Sequence, residues 1–118
     1  MSELAQQAAK RIESALGPKV TGTFEDGRGV VVRVEPEAVR EALGLLKTDR
    51  ECPFDMLCHI AGVDWQRWHE ETGLEPPPAR FGLVYTLYAV ARRTRIFVET
   101  FVADGQSVPS VTPLYASA

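Results

Sequence analysis

The sequence predicts an α+β fold, in which two helices pack on a mixed, mainly antiparallel sheet of four strands. Three observations support this prediction. Two segments of the first half carry apolar residues at helical spacing, and a short β-branched run lies between them. The second half changes to strand patterns, which end in two long alternating runs joined by a short link. The expected order is helix, strand, helix, strand, strand, strand, and 118 residues fit one domain over 1–118.

Both predicted helices have an apolar face. The first is expected over 2–16, with Ser2 as its N-cap and Gly17-Pro18 as its stop. Its apolar face is formed by residues at helical spacing: Leu4, Ala5, Ala8, Ile12, Ala15 and Leu16. The second helix opens at Pro36, because the missing proline N–H costs nothing at the first helical position. Its buried stripe is expected to be Val39, Ala42, Leu43 and Leu46.

Four segments are expected to be strands: 30–34, 56–62, 81–90 and 95–102. The last two form an antiparallel hairpin, since the link between them is short. The first hairpin strand is expected to direct Leu83, Tyr85 and Leu87 into the core. On the second hairpin strand, Arg95 and Glu99 share one face, which we expect to be partly in contact with water.

Two further segments are interpreted as turns or loops. Residues 21–29 are turn-rich, with Asp26-Gly27 and Gly29 as loop or hairpin signals. Residues 66–80 contain three successive prolines and are expected to form a surface loop, because proline cannot donate a hydrogen bond within a sheet. The local arginine cluster lies in the predicted hairpin turn, where a solvated turn is favoured over a phosphate site: Arg92, Arg93 and Arg95.

The composition argues against several classes of protein. A net charge of −3 and a pI near 5.4 disfavour a nucleic-acid surface. Residues 1–10 lack the features of a secretory signal, and no stretch reaches the roughly 18 apolar residues of a membrane span. We therefore expect a cytosolic address and contact with a membrane only through partners. Cys52 and Cys58 do not form a disulfide framework, and Cys58 is expected to be a buried, reduced thiol.

The sequence shows no motif for catalysis or cofactor binding. It contains neither a dinucleotide-binding fingerprint nor a phosphate-binding P-loop. Cys58 and His59 are adjacent and are expected to point to opposite faces of a strand, which disfavours a metal site and a Cys–His nucleophile. The acidic pairs at 25–26 and 70–71 are expected in solvated loops. We expect no catalytic, cofactor-binding or metal-binding residue, which favours a binding or structural role.

Three segments together resemble one known family. Residues 54–65 read FDMLCHIAGVDW, residues 81–88 read FGLVYTLY, and residues 108–118 read VPSVTPLYASA. Their order and spacing resemble the thirty-kilodalton subunit family of respiratory complex I, which provides the C subunit of the bacterial NADH-quinone oxidoreductase. The first helix, the first strand and the second helix agree with this family only in their arrangement.

The resemblance implies a non-catalytic scaffold in the hydrophilic arm of complex I. Members of the family bind the forty-nine-kilodalton-type subunit (the D subunit in bacteria), which helps to form the quinone pocket, and they contact neighbouring arm subunits. NADH, flavin, iron–sulfur clusters and quinone are bound by other subunits. The implied location is peripheral, on the cytoplasmic side of the inner membrane of a bacterium. Two alternatives stay open: an equivalent subunit of a membrane-bound hydrogenase or formate hydrogenlyase, and a small free-standing α+β enzyme.

The resemblance also suggests where a partner binds. In the family, the final helix continues into an acidic, aromatic signature that follows residue 118, so we expect this chain to be a piece of a longer protein. The passage from the last strand into that helix is expected to face the forty-nine-kilodalton-type subunit and to be exposed without it. The expected interface residues are Val108, Val111, Thr112, Leu114, Tyr115 and Ser117.

Overall fold

The first helix, α1, spans Glu3–Leu16 in the computed structural model, which describes residues 3–64, 70, 73 and 81–102. The helix ends at Gly17, whose φ of 57° is a left-handed conformation that glycine adopts without strain. This confirms the predicted helix, although its expected cap, Ser2, lies outside the described residues. The helix buries one face, formed by Ala5, Ala8, Ala9, Ile12 and Leu16.

The next strand was not predicted. After a 3₁₀ turn at Gly17–Lys19, β1 spans Val20–Asp26 and pairs antiparallel with β2, which spans Gly29–Val34. The interpretation of 21–29 as a turn-rich segment was wrong for most of its length, whereas the hairpin signal at Asp26-Gly27 is confirmed. Strand β1 lies at an edge of the sheet, where it is only partly buried. Its sequence therefore lacks a continuous apolar pattern, and its partly buried residues are Val20, Gly22 and Phe24.

The second helix begins with a 3₁₀ turn at Pro36–Ala38 and continues as α2 over Val39–Lys47. The Thr48 hydroxyl follows the helix and donates a hydrogen bond to the carbonyl oxygen of Gly44 at 2.8 Å. Both the opening proline and the predicted buried stripe are confirmed, the latter at Val39, Ala42, Leu43 and Leu46. Among the described residues, no helix is long and apolar enough to cross a membrane.

The described sheet has five strands, not the four that were predicted, because β1 was missing from the prediction. The remaining strands are β3 over Met56–Asp64, β4 over Phe81–Ala89 and β5 over Thr94–Val102. Their order is β1-β2-β5-β4-β3, in which the β2–β5 contact is parallel and the other contacts are antiparallel. The predicted β4–β5 hairpin and the mixed, mainly antiparallel sheet are thereby confirmed.

Both helices pack on the same face of the sheet, which we call the helix face. The hydrophobic core lies between the helices and this face. The first helix contacts β1, β2 and β5, and the second contacts β5. Tyr85 and Leu87 point into this core, as predicted. Leu83 differs from the prediction because it lies at the margin of the core and is only partly buried.

One prediction of exposure was wrong, and another was right only in part. Cys58 is exposed, and the buried cysteine is Cys52. A β-bulge explains the difference, since the register with β4 shifts between Leu57 and His59 and leaves Cys58 without a partner residue on β4. The face shared by Arg95 and Glu99 is partly exposed, as predicted, because Arg95 is exposed, whereas Glu99 itself is only 5% exposed.

Candidate interaction surface

The face of the sheet opposite the two helices carries a layer of arginine, phenylalanine and glutamate side chains. The parallel register pairs Val31 with Phe97 and Arg33 with Glu99. Residues paired across neighbouring strands lie on the same face, and residues alternate along each strand, so these four lie opposite the helix face. We call this surface the arginine–aromatic face and define it as Phe24, Asp26, Arg28, Val31, Arg33, Phe97, Glu99 and Phe101.

Glu99 is the centre of this face. Arg33 donates two hydrogen bonds to its Oε1 atom, from Nε at 2.9 Å and from Nη2 at 2.7 Å. Arg28 approaches the other carboxylate oxygen, with 3.7 Å between Nη1 and Oε2. A buried carboxylate is strongly unfavourable unless it is paired and hydrogen-bonded. The two guanidinium groups therefore explain how the sheet accommodates Glu99 in a buried position.

Phenylalanine rings lie against both guanidinium groups. The Cζ atom of Arg33 is 5.0 Å from the ring centroid of Phe24 and 4.6 Å from that of Phe101. The Cζ atom of Arg28 is 5.6 Å from the ring centroid of Phe97. These distances are within the range of cation–π attraction. The rings and the carboxylate together fix the orientation of each arginine.

Asp26 forms an ion pair and hydrogen bonds with Arg28. The Nη2 atom of Arg28 donates to Oδ2 at 2.7 Å, and the backbone N–H of Arg28 donates to Oδ1 at 2.8 Å. The side-chain hydrogen bond from Arg28 lowers the pKa of Asp26 to about 2. Asp26 is therefore ionised at neutral pH and stabilises the turn that joins β1 to β2.

The charges of the arginine–aromatic face balance. Arg28 and Arg33 are each paired with a carboxylate, from Asp26 or Glu99. General acid–base catalysis needs a pKa near the working pH, whereas the pKa of Asp26 lies far below it. The chemistry of this face instead suits rigid support of the sheet and recognition of another protein, because arginine and aromatic residues are enriched at protein interfaces.

The sequence prediction missed this cluster, although two signals were present. Arg33 lies between two valines in a β-branched strand, and Glu99 follows the apolar run of residues 96–98 in the last strand. A charge at such a position needs a partner of opposite sign. The partner could not be identified, because the parallel contact of β2 with β5 joins residues 66 positions apart.

A second ion pair links α1 to the segment between α2 and β3. Arg11 donates from Nε to Oδ2 of Asp49 at 2.6 Å and from Nη2 to Oδ1 at 3.0 Å. The backbone N–H groups of Glu51 and Cys52 also donate to Oδ1, each at 3.0 Å. Burial opposes ionisation of Asp49, but these hydrogen bonds outweigh it and leave its pKa below the ordinary value. Burial raises the pKa of the Cys52 thiol, which therefore stays protonated.

The partner-binding residues expected from the sequence lie outside the described residues: Val108, Val111, Thr112, Leu114, Tyr115 and Ser117. Cys58 and His59, weighed as a metal or nucleophilic pair, are both exposed on β3. Within the part of the chain that the structure describes, no group of three or more His, Cys, Asp or Glu side chains is placed to hold a metal ion.

Curated relatives align with most or all of the chain. The C subunit of the NADH-quinone oxidoreductase of Acidithiobacillus ferrooxidans is 31% identical over 100% of this chain and 57% of the relative. The corresponding protein of Agrobacterium fabrum is 30% identical over 100% of this chain and 54% of its own length. That of Roseiflexus sp. is 33% identical over 92% of this chain and 58% of the relative. The chain thus spans between 54% and 58% of these three relatives.

A solved structure and a family model agree with these relatives. The trypsin-resistant fragment (1–134) of Nqo5 superposes with a TM-score of 0.70 and 25% identity, covering 94% of this chain and 83% of that chain. The model of the family described as respiratory-chain NADH dehydrogenase, 30 Kd subunit, matches residues 32–118. The chain therefore belongs to the 30 Kd subunit family of the respiratory-chain NADH dehydrogenase.

Proposed function

We propose that this chain is part of a cofactor-free scaffold subunit in the hydrophilic arm of the proton-translocating NADH:quinone oxidoreductase, respiratory complex I. The observation that carries the proposal is the family match over residues 32–118. Relatives aligned over the whole chain are each named as the C subunit of an NADH-quinone oxidoreductase. These names favour complex I over the hydrogenase-type alternative.

The proposed partner is the forty-nine-kilodalton-type quinone-site subunit, with neighbouring arm subunits also in contact. The segment from Val108 to Ser117 remains a proposed part of that interface. Through these partners the protein is proposed to lie at the cytoplasmic side of the bacterial inner membrane. The arginine–aromatic face supports a binding role, because its side chains are oriented by ion pairs and ring contacts before any partner arrives.

The ionisation of two ion-paired carboxylates also supports a role without catalysis. Asp26 and Asp49 both have a lowered pKa, and each is hydrogen-bonded to an arginine. A carboxylate that acts as a proton donor near neutral pH has a raised pKa instead. Both groups therefore fit the stabilisation of local structure better than proton transfer.

Binding to the partner can be tested by co-expression. The full-length protein that contains this chain carries an affinity tag and is produced together with the forty-nine-kilodalton-type subunit of the same bacterium. The proposal predicts that both proteins elute together in equal amounts. Elution of the tagged protein alone, while the other subunit is soluble and folded, would contradict it.

The absence of a cofactor is tested on the purified tagged protein. It is expected to show neither flavin nor iron–sulfur absorbance and not to oxidise NADH. Stoichiometric flavin or iron–sulfur absorbance, or NADH oxidation that persists after repeated purification, would show that the protein is not a cofactor-free scaffold.

A further inference from the structure

We draw no further inference here: the strongest candidate, the apolar surface patch that Met56 and Ile60 expose at the β3 edge of the sheet, carries none because nothing in the described part of the chain shows what covers it.

Discussion

The central part of strand β5 is buried on both faces of the sheet, but by different chemistry. On the helix face, β5 packs Ile96 and Val98 against aliphatic side chains of the two helices. On the arginine–aromatic face, the same strand places Phe97 and Glu99 under two guanidinium groups. The first face depends on volume and shape, and the second depends on charge pairing. We therefore expect the helix face to be most sensitive to loss of volume and the arginine–aromatic face to be most sensitive to loss of charge.

The largest effect is expected from loss of volume on the helix face. Leu87 is 0% exposed, so Leu87→Ala should lower the free energy of unfolding by about 2–5 kcal/mol through lost burial and a cavity. Leu83 on the same strand is only partly buried, and Leu83→Ala should cost about half as much. Urea unfolding of both variants measures the difference. Equal effects would show that the margin of the core is as tightly packed as its centre.

Charge removal on the arginine–aromatic face should have a smaller effect. Glu99→Gln keeps the shape but leaves Arg28 and Arg33 without their shared carboxylate. The expected loss is about 1–2 kcal/mol, below the value for a fully buried pair, because the Arg33 side chain is 34% exposed to water. Glu41→Gln is the control, since it breaks the exposed pair with Lys19 at 3.4 Å and should change stability by less than about 0.5 kcal/mol. Similar losses of stability in both variants would show that the ion pairs of Glu99 contribute no more than an exposed pair.

A substitution on the helix face should instead stabilise the protein. Thr100 is 0% exposed, and its Oγ1 atom is buried without a hydrogen-bond partner. Thr100→Val keeps the shape and removes the unsatisfied hydroxyl, so it should raise the free energy of unfolding by about 1 kcal/mol. Thermal unfolding checks the sign. A destabilised variant would show that the hydroxyl has a partner, such as a bound water molecule.

The smallest effect concerns pH. Asp26 and Asp49 both have a folded pKa below the ordinary value of about 3.9. The stability that each contributes is present above that ordinary pKa and is lost as pH falls through the folded pKa, which for Asp26 is about 2. Asp49→Asn should cost less than about 1 kcal/mol at pH 7, since Arg11 stays 40% exposed. The difference in the free energy of unfolding between wild type and Asp49→Asn should shrink as the pH falls below about 4. A difference in stability that does not change with pH would exclude ionisation of Asp49 as its cause.

Local patterns predicted the parts of the fold that have strong periodicity. The apolar faces of α1 and α2 and the hairpin of β4 with β5 are confirmed, because each is determined by residues close together in sequence. The edge strand β1 was missed because it is stabilised by pairing with β2 and carries little apolar periodicity. Cys58 was placed wrongly because a bulge interrupts the alternation of β3, and the apolar run gave no sign of it.

The candidate surface was less predictable than the fold. Arg33 and Glu99 meet only because β2 and β5 are parallel neighbours, a long-range arrangement that strand patterns do not encode. The same applies to the exposed edge of β3, since edge position depends on the order of strands in the sheet. The expected interface from Val108 to Ser117 remains a prediction.

We propose that this chain serves as a structural part of complex I. The most direct measurement tags the full-length protein in its own bacterium, purifies it from detergent-solubilised membranes, and quantifies all co-purifying subunits by mass spectrometry. We predict one copy of the tagged protein for each forty-nine-kilodalton-type subunit, together with NADH:quinone reductase activity. An active enzyme that purifies without the tagged protein, or a tagged protein recovered with no other subunit, would rule out this structural role.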